Sequence, residues 1–156
     1  MPVLIAGGGP VGLTLALELA SRHVPCMLVE RFVESTRFPK MDITNARSME
    51  LFRRLGVAAD LRKVAVPEDN VFDVAWITTL TGHELHRFRY QSVTEVRRRI
   101  REHNDGSQPA EPAMRVSQVV IEPELKRMLL GSKQVDARFG VALESFVQDE
   151  KGVTAI

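Results

Sequence analysis

The N-terminal stretch MPVLIAGGGPVGLTLALELASRHVPCMLVER constrains the fold more than any other part of the chain. Val3-Leu4-Ile5-Ala6 is a short continuous apolar run, the pattern of a strand buried on both faces. Gly7-Gly8-Gly9 breaks it at once, and Pro10 suits the first turn of a helix, where a missing N–H costs nothing. From Val11 to Ser21 the residues are good helix formers and apolar on most sides. That predicts a helix covered by a sheet and by neighbours, not an amphipathic surface helix. Pro25 closes the connection, and Cys26–Glu30 reads as a second buried strand. Strand, helix, strand over about thirty residues is a βαβ unit, whose crossover is expected to be right-handed. The fold class is therefore α/β.

Gly7-x-Gly9-x-x-Gly12 fits the dinucleotide fingerprint, and each glycine answers a separate demand. Gly7 permits the tight turn out of the strand, Gly9 lets the backbone approach a pyrophosphate, and Gly12 lets the helix pack on the sheet. Free N–H groups at the helix N-terminus then face the diphosphate with the positive end of the macrodipole. Glu30 stands at the carboxyl end of the second strand, separated from Gly12 by 17 residues (13 to 29), and can accept hydrogen bonds from a ribose diol. Its charge repels a 2′-phosphate, which argues against NADP in this pocket. The fit supports a dinucleotide and leaves FAD and NAD both open.

Downstream, residues 31–44 read as a loop punctuated by Ser35, Thr36, Pro39 and Asp42. A helix is expected from about Ala46 to Leu55, with Asn45 as N-cap and Gly56 as its stop, and a shorter one over Val57–Val64. Val71–Thr79 and His83–Tyr90 look like a β-hairpin, 93–103 like a short arginine-laden helix, and 104–112 like a loop. Glu122-Pro123 is expected to open a helix that Gly131 ends, and Val135–Gly140, Val141–Val147 and Val153–Ile156 read as strands. The last of these stops in mid-strand.

Composition removes whole classes of function. With 156 residues the chain has the length of one ordinary domain, and 44% apolar with 26% charged residues is a globular balance. A net charge of +1 supplies no field for nucleic acid or an anionic membrane. A single cysteine, Cys26, excludes an internal disulfide and fits a reducing cytoplasm. No apolar run reaches a membrane-spanning length, because Glu18, Ser21, Arg22 and His23 interrupt the one candidate. His83 and His86 point to opposite faces of a strand and lack acidic or cysteine neighbours, so no metal site is expected. Arg97–Arg101 spans all sides of a helix between Glu95 and Glu102 and reads as a solvated face. No G-x-S-x-G elbow organises a nucleophile, and no residue is assigned as a catalytic acid, base or nucleophile.

Three stretches in order, VLIAGGGPVGLTLALELA…CMLVER, TNARSMELFRRLGV and RVSQVVIEPELKRML, resemble the FAD-dependent aromatic hydroxylases. These are the group A flavoprotein monooxygenases with the p-hydroxybenzoate hydroxylase fold. The resemblance implies a Rossmann-like βαβ FAD-binding fold of the glutathione-reductase type, together with the beginning of an antiparallel substrate-domain sheet. It divides the chain into a first FAD-binding segment (1–70), a hairpin region starting the substrate domain (71–105) and a second FAD-binding segment (106–156). Arg47 matches the arginine that reaches the FAD pyrophosphate from the start of its helix. A cation in a helix's first turn opposes the dipole, so an external anion is its natural partner. Gln118 matches the glutamine that hydrogen-bonds the cofactor near its ribityl and phosphate portion, and Arg31 the arginine lying along the adenine. With Gly7, Gly9, Pro10, Val11, Gly12 and Glu30 these complete the candidate cofactor-binding residues.

In the family, NAD(P)H reduces FAD and O₂ then supplies the oxygen delivered to an activated aromatic ring. The implied partners are a small aromatic substrate and the missing C-terminal part of a longer chain, or a second chain. Two later family signatures are absent: an Asp-Gly at a strand end after the C-terminal β-meander, and a Gly-Asp whose aspartate binds the ribityl chain. The expectation is an incomplete hydroxylase, inactive on its own. Rival readings are another flavoprotein of the same fold, such as an epoxidase or isoprenoid reductase, and a non-catalytic dinucleotide-binding module or subunit. A plain NAD-dependent dehydrogenase ranks last, since it leaves Arg47 and Gln118 without a role.

Overall fold

Apolar strands that cannot be hydrated on either face must pair and be covered, and the computed structural model shows how. It describes residues 2–103 and 105–156. In chain order the elements are β1 (Val3–Ala6), α1 (Pro10–Ser21), β2 (Cys26–Glu30), β3 (Ile43–Thr44), α2 (Ala46–Arg54), α3 (Ala58–Lys63) and β4 (Val74–Ile77). There follow β5 (Glu84–Phe88), α4 (Val93–Glu102), β6 (Met114–Arg115), α5 (Gln118–Leu130), β7 (Val135–Phe139), β8 (Phe146–Asp149) and β9 (Gly152–Ala155). They fall into two units, Met1–Lys40 with Gln118–Ile156, and Met41–Ser117.

In the first unit β1, β2 and β7 form a parallel sheet in that order, from Val3↔Cys26 to Ala6↔Val29 and from Cys26↔Val135 to Glu30↔Phe139. The βαβ expectation holds. The middle strand buries Cys26, Leu28 and Val29, as a strand paired on both sides and covered on its faces must. Burial pushes the Cys26 thiol pKa up, which keeps it protonated and inert in the core. Helices α1 and α5 pack on each other, with Leu13, Ala16, Ile121, Leu125 and Leu129 buried.

Two expectations for this unit change. α5 begins at Gln118, so Pro123 lies inside the helix instead of opening it. An interior proline costs about 3 kcal/mol. Ile121, Leu125 and Leu129 sit at most 1% exposed along one face and contribute about 1.5–3 kcal/mol each by burial, which outweighs that cost. The strand expected over Val141–Val147 does not form. Gly140 at φ +79° turns the chain, and Val141 N–H donates to the carbonyl of Glu30 at 3.0 Å. Strand β8 starts only at Phe146 and pairs antiparallel with β9 around a tight turn.

The second unit holds the remaining elements. α2 starts where Asn45 Oδ1 accepts the Ser48 N–H at 2.8 Å, and Gly56 at φ +76° follows its end, as the sequence predicts. Met49, Phe52, Leu61, Phe72, Val93 and Met114 are buried in its core. β4 and β5 form the expected hairpin in shorter form, Val74↔Phe88 to Ile77↔Glu84, with an irregularity between Trp76 and Ile77. β3 and β6 pair antiparallel, Ile43↔Arg115 and Thr44↔Met114. The sequence does not foretell this contact, because two residues carry no period. A capping box of Ser92 and Glu95 opens α4. Within its arginine run, Arg97 pairs with Glu68 at 3.0 Å and Arg98 with Glu102 at 4.0 Å. Of the expected loop, Asn104 lies outside the described residues and 105–112 carries no regular structure. No described helix is long and apolar enough to cross a membrane.

Candidate cofactor site

In open α/β sheets, ligands bind beyond the carboxyl ends of the parallel strands. In the first unit those ends are Ala6 of β1, Glu30 of β2 and Phe139 of β7, the last two being register partners. A cleft of about 910 Å³ opens there. That is near the top of the range of roughly 300–1,000 Å³ usual for small-molecule sites. The glycines 7–9 form one side, residues 29–38 and Lys40 a second, and Gln118, Glu122 and Lys126 of α5 a third.

The glycine turn is shaped by close approach. Gly7 takes φ +114°, and its N–H donates to the Val29 carbonyl at 2.8 Å. A Cβ on Gly12 would overlap the Gly7 carbonyl oxygen, so any side chain there would drive α1 off the turn. Gly9 is the N-cap of α1, with no side-chain cap and no acidic residue in the first turn. The first turn thus supplies no carboxylate of its own to its positive end, and a Cβ on Gly9 would find open space within 4 Å. An uncapped helix start behind a glycine cradle fits a diphosphate.

Glu30 closes the turn from the other side. Its Oε2 accepts the Gly8 N–H at 2.6 Å and its Oε1 the Phe32 N–H at 2.9 Å. Each carboxylate oxygen keeps a lone pair for a ribose hydroxyl. A Cβ on Gly8 would lie 2.8 Å from Glu30 Cβ, so the unassigned middle glycine is also required. Arg31 lines the cleft with its guanidinium carbon 4.7 Å from the centroid of the Phe32 ring.

On α5, Gln118 is 9% and Glu122 7% exposed. Gln118 Oε1 accepts the Lys40 N–H at 2.9 Å, and its Nε2 donates to Glu122 Oε2 at 3.1 Å. Glu122 Oε1 accepts the Thr36 N–H at 3.3 Å. Lys126 Nζ donates to the Val33 carbonyl at 2.8 Å and lies 3.6 Å from the centroid of the Phe139 ring.

Of the residues singled out in the sequence, the structure brings Gly7, Gly9, Glu30, Arg31 and Gln118 to this one cleft. Pro10, Val11 and Gly12 form the first turn of α1 behind the cradle. Arg47 belongs to the other unit, near the start of α2, where its Nη1 lies 3.0 Å from Glu50 Oε2 with the side chain 76% exposed. Gly8, Glu122, Lys126 and Phe139 were not foreseen. The spacing Gln118, Glu122, Lys126 at i, i+4, i+8 is the sequence signal that places the last two helix residues beside Gln118.

Fold and cleft together define a dinucleotide-binding α/β domain. The entire chain, residues 1–156, matches the FAD binding domain family, and the protein belongs to that family. Its likeness runs to the group A flavoprotein aromatic hydroxylases. The FAD-dependent monooxygenase apdD of Emericella nidulans is 43% identical over 152 residues, covering 97% of this chain and 24% of that protein. The 2,4-dichlorophenol 6-monooxygenase of Delftia acidovorans is 31% identical, covering 98% of this chain and 25% of that protein. The crystal structure of the flavin-dependent monooxygenase PieE in complex with FAD and substrate superposes with a TM-score of 0.80 at 34% identity, over 99% of this chain and 26% of that one. The chain thus spans about a quarter of the length of the curated relatives it matches.

Proposed function

We propose that the chain is the FAD-binding part of an NAD(P)H- and O₂-dependent monooxygenase that hydroxylates an aromatic, phenolic or polyketide-like substrate in the cytoplasm. The observation that carries the reading is the junction of Gly7–Gly9, the uncapped start of α1 and Glu30 at one cleft beyond the strand ends. The aromatic substrate rests on the relatives, among them the 2,4-dichlorophenol 6-monooxygenase.

When bound, FAD supplies the redox chemistry, accepting a hydride from NAD(P)H and activating O₂ so that one oxygen enters the ring and the other leaves as water. The work of this chain is binding and orientation. The N–H groups of Val11 and Gly12 at the start of α1 would hold the diphosphate, where the helix dipole favours negative charge. Glu30 would hold the adenosine ribose and Arg31 would flank the adenine. Arg47, by its resemblance to the family's arginine, would supply a planar guanidinium fork of the kind that matches two phosphate oxygens. Gln118 presents an amide to the cofactor from the opposite wall of the cleft.

A visible absorption spectrum of the purified chain, with chromatography of cofactor released on denaturation, tests the cofactor assignment. A flavin band with FAD recovered is the expected result; retention of NAD with no flavin would overturn it. For the reaction, phenolic substrates should stimulate NAD(P)H oxidation and O₂ uptake by a protein carrying this domain at full family length, with a hydroxylated product. Oxidation with no oxygen in any product would remove the monooxygenase reading.

A further inference from the structure

Helix α5 and the cleft wall opposite it run past each other in a regular way. Gln118, Glu122 and Lys126 lie one turn apart on one helix face. Their side chains reach the backbone of Lys40, Thr36 and Val33 in turn, at 2.9, 3.3 and 2.8 Å. Rising along the helix means descending along the segment, so the two antiparallel stretches are joined by three side-chain-to-backbone rungs. Segment 33–40 has no regular secondary structure of its own, yet it supplies Arg37 and Phe38 to the cleft lining. Without internal backbone pairing, it needs such anchors to hold one shape.

Glu122 is the middle rung and differs from the other two. It is nearly buried, and it makes two contacts: one oxygen takes the Thr36 N–H, the other the Gln118 side-chain N–H. A carboxylate only accepts hydrogen bonds, so the Gln118 nitrogen must face Glu122. The Lys40 N–H only donates, so the Gln118 oxygen must face Lys40. Two independent partners therefore fix one amide orientation. Gln118 is left with one N–H and one lone pair for a ligand in the cleft.

We infer that Glu122 is a positioning residue for the cofactor cleft, strapping segment 33–40 to α5 and setting the amide orientation of Gln118. The inference rests on the reading of this cleft as the flavin site. The proposed action of Glu122 on the ligand runs through what it holds in place.

The test combines amide hydrogen exchange of the ligand-free chain with flavin-fluorescence titration, comparing wild type, Glu122→Ala and Glu122→Gln. Glu122→Gln keeps the size but presents an amide nitrogen to one of two donors, so it loses one rung and keeps the packing. Exchange at Thr36 should accelerate at least about tenfold in Glu122→Ala, with Lys40 following and Glu122→Gln intermediate, and FAD dissociation constants should rise in the same order by about tenfold at most. Wild-type exchange at Thr36 and Lys40 in both variants would overturn the strap. Accelerated exchange with unchanged FAD affinity would overturn the positioning role. If wild type itself binds no flavin, the titration is repeated on a protein carrying this domain at full family length, where no flavin binding would end the flavin reading, while the exchange data still judge the strap. Should Glu122→Ala not fold, Glu122→Gln alone decides by the same readouts.

Discussion

Glu30 and Gly8 are fastened to each other: the carboxylate Oε2 accepts the glycine N–H at 2.6 Å across 22 positions of chain. The residue at the end of one strand thereby shapes the turn that follows its neighbour. Removing the carboxylate takes away the proposed ribose acceptor and releases the turn. Glu30→Ala is expected to weaken FAD binding by about 1.5–3 kcal/mol, roughly tenfold to a hundredfold, with Glu30→Gln losing less because one carbonyl oxygen remains. Fluorescence titration of the two variants measures it. Equal affinity in Glu30→Ala and wild type would refute the ribose role.

The glycines separate stability from binding. Gly12→Ala places a methyl group on the Gly7 carbonyl oxygen, a backbone clash that only a shift of α1 can relieve. Overpacking of that kind costs about 1–3 kcal/mol, and the urea midpoint should fall accordingly. Gly9→Ala meets nothing within 4 Å at φ −76°, so its fold cost is confined to a poorer N-cap, at most about 1 kcal/mol. If the diphosphate sits against this turn, FAD affinity should nevertheless fall in Gly9→Ala, because the new methyl would occupy its approach. A Gly9→Ala chain that binds FAD normally would place the diphosphate elsewhere.

Much of this was readable from residue order alone. The strand, glycine turn, helix and second strand follow from an apolar run broken by glycine, because the turn needs the backbone freedom of glycine and the flanking runs have no polar face to leave in water. Asn45 and Gly56 bracket α2 for the same reason, and Ser92-x-x-Glu95 carries the capping box in its spelling. Other features depend on contacts far apart in sequence. The parallel pairing of Cys26–Glu30 with Val135–Phe139 closes a loop of about a hundred residues, which no local period announces. Pro123 reads as a helix start until the burial of Ile121, Leu125 and Leu129 against α1 is known. Glu122 reads only as the residue before a helix-opening proline until Thr36 and Gln118 are seen to reach both its oxygens.

The Ser92 cap offers a stability test away from the cleft. Its hydroxyl accepts the Glu95 N–H at 3.2 Å, and Glu95 Oε2 accepts the Ser92 N–H at 2.8 Å, with Ser92 buried. Ser92→Ala breaks the reciprocal pair and leaves a helix-terminal donor without a partner. The expected cost is about 1 kcal/mol, seen as a lower urea midpoint with unchanged slope. FAD affinity should not change.

Acid should destabilise the fold by a definite route. Hydrogen bonds hold several carboxyl pKa values below their ordinary range: the Ala110 N–H and Arg47 at Glu50, Arg138 at Asp136, and the Ser107 hydroxyl and N–H at Asp105. A folded-state pKa below the unfolded one means the unfolded chain binds more protons in that window. The stabilisation is therefore complete above the unfolded values, near 4.5 for Glu50 and 3.8 for Asp136, and is lost as pH falls through the folded ones. Because these groups lie at the surface, the effect should shrink in high salt. Urea midpoints measured between about pH 5 and pH 3 should fall, and Asp136→Asn should flatten the decline. A midpoint that rises on acidification contradicts the sign.

Arg47 and Glu50 form a pair whose value for the fold differs from its value for the ligand. The arginine side chain is 76% exposed, and its partner Glu50 also accepts the Ala110 N–H at 2.8 Å. An exposed ion pair of this kind contributes about 0–1 kcal/mol, so Arg47→Ala should leave the melting temperature nearly unchanged. The first turn of a helix repels a cation, and a phosphate offers the guanidinium a stronger, bidentate partner than one neighbouring carboxylate. If Arg47 serves the diphosphate, Arg47→Ala should weaken FAD binding at least about tenfold, and Arg47→Lys, which keeps charge but loses the fork, should recover only part of it. Full recovery by lysine would reduce the residue to a point charge. Unchanged affinity in Arg47→Ala would leave Arg47 with the Glu50 pair among the described residues, and the diphosphate to the glycine turn and α1.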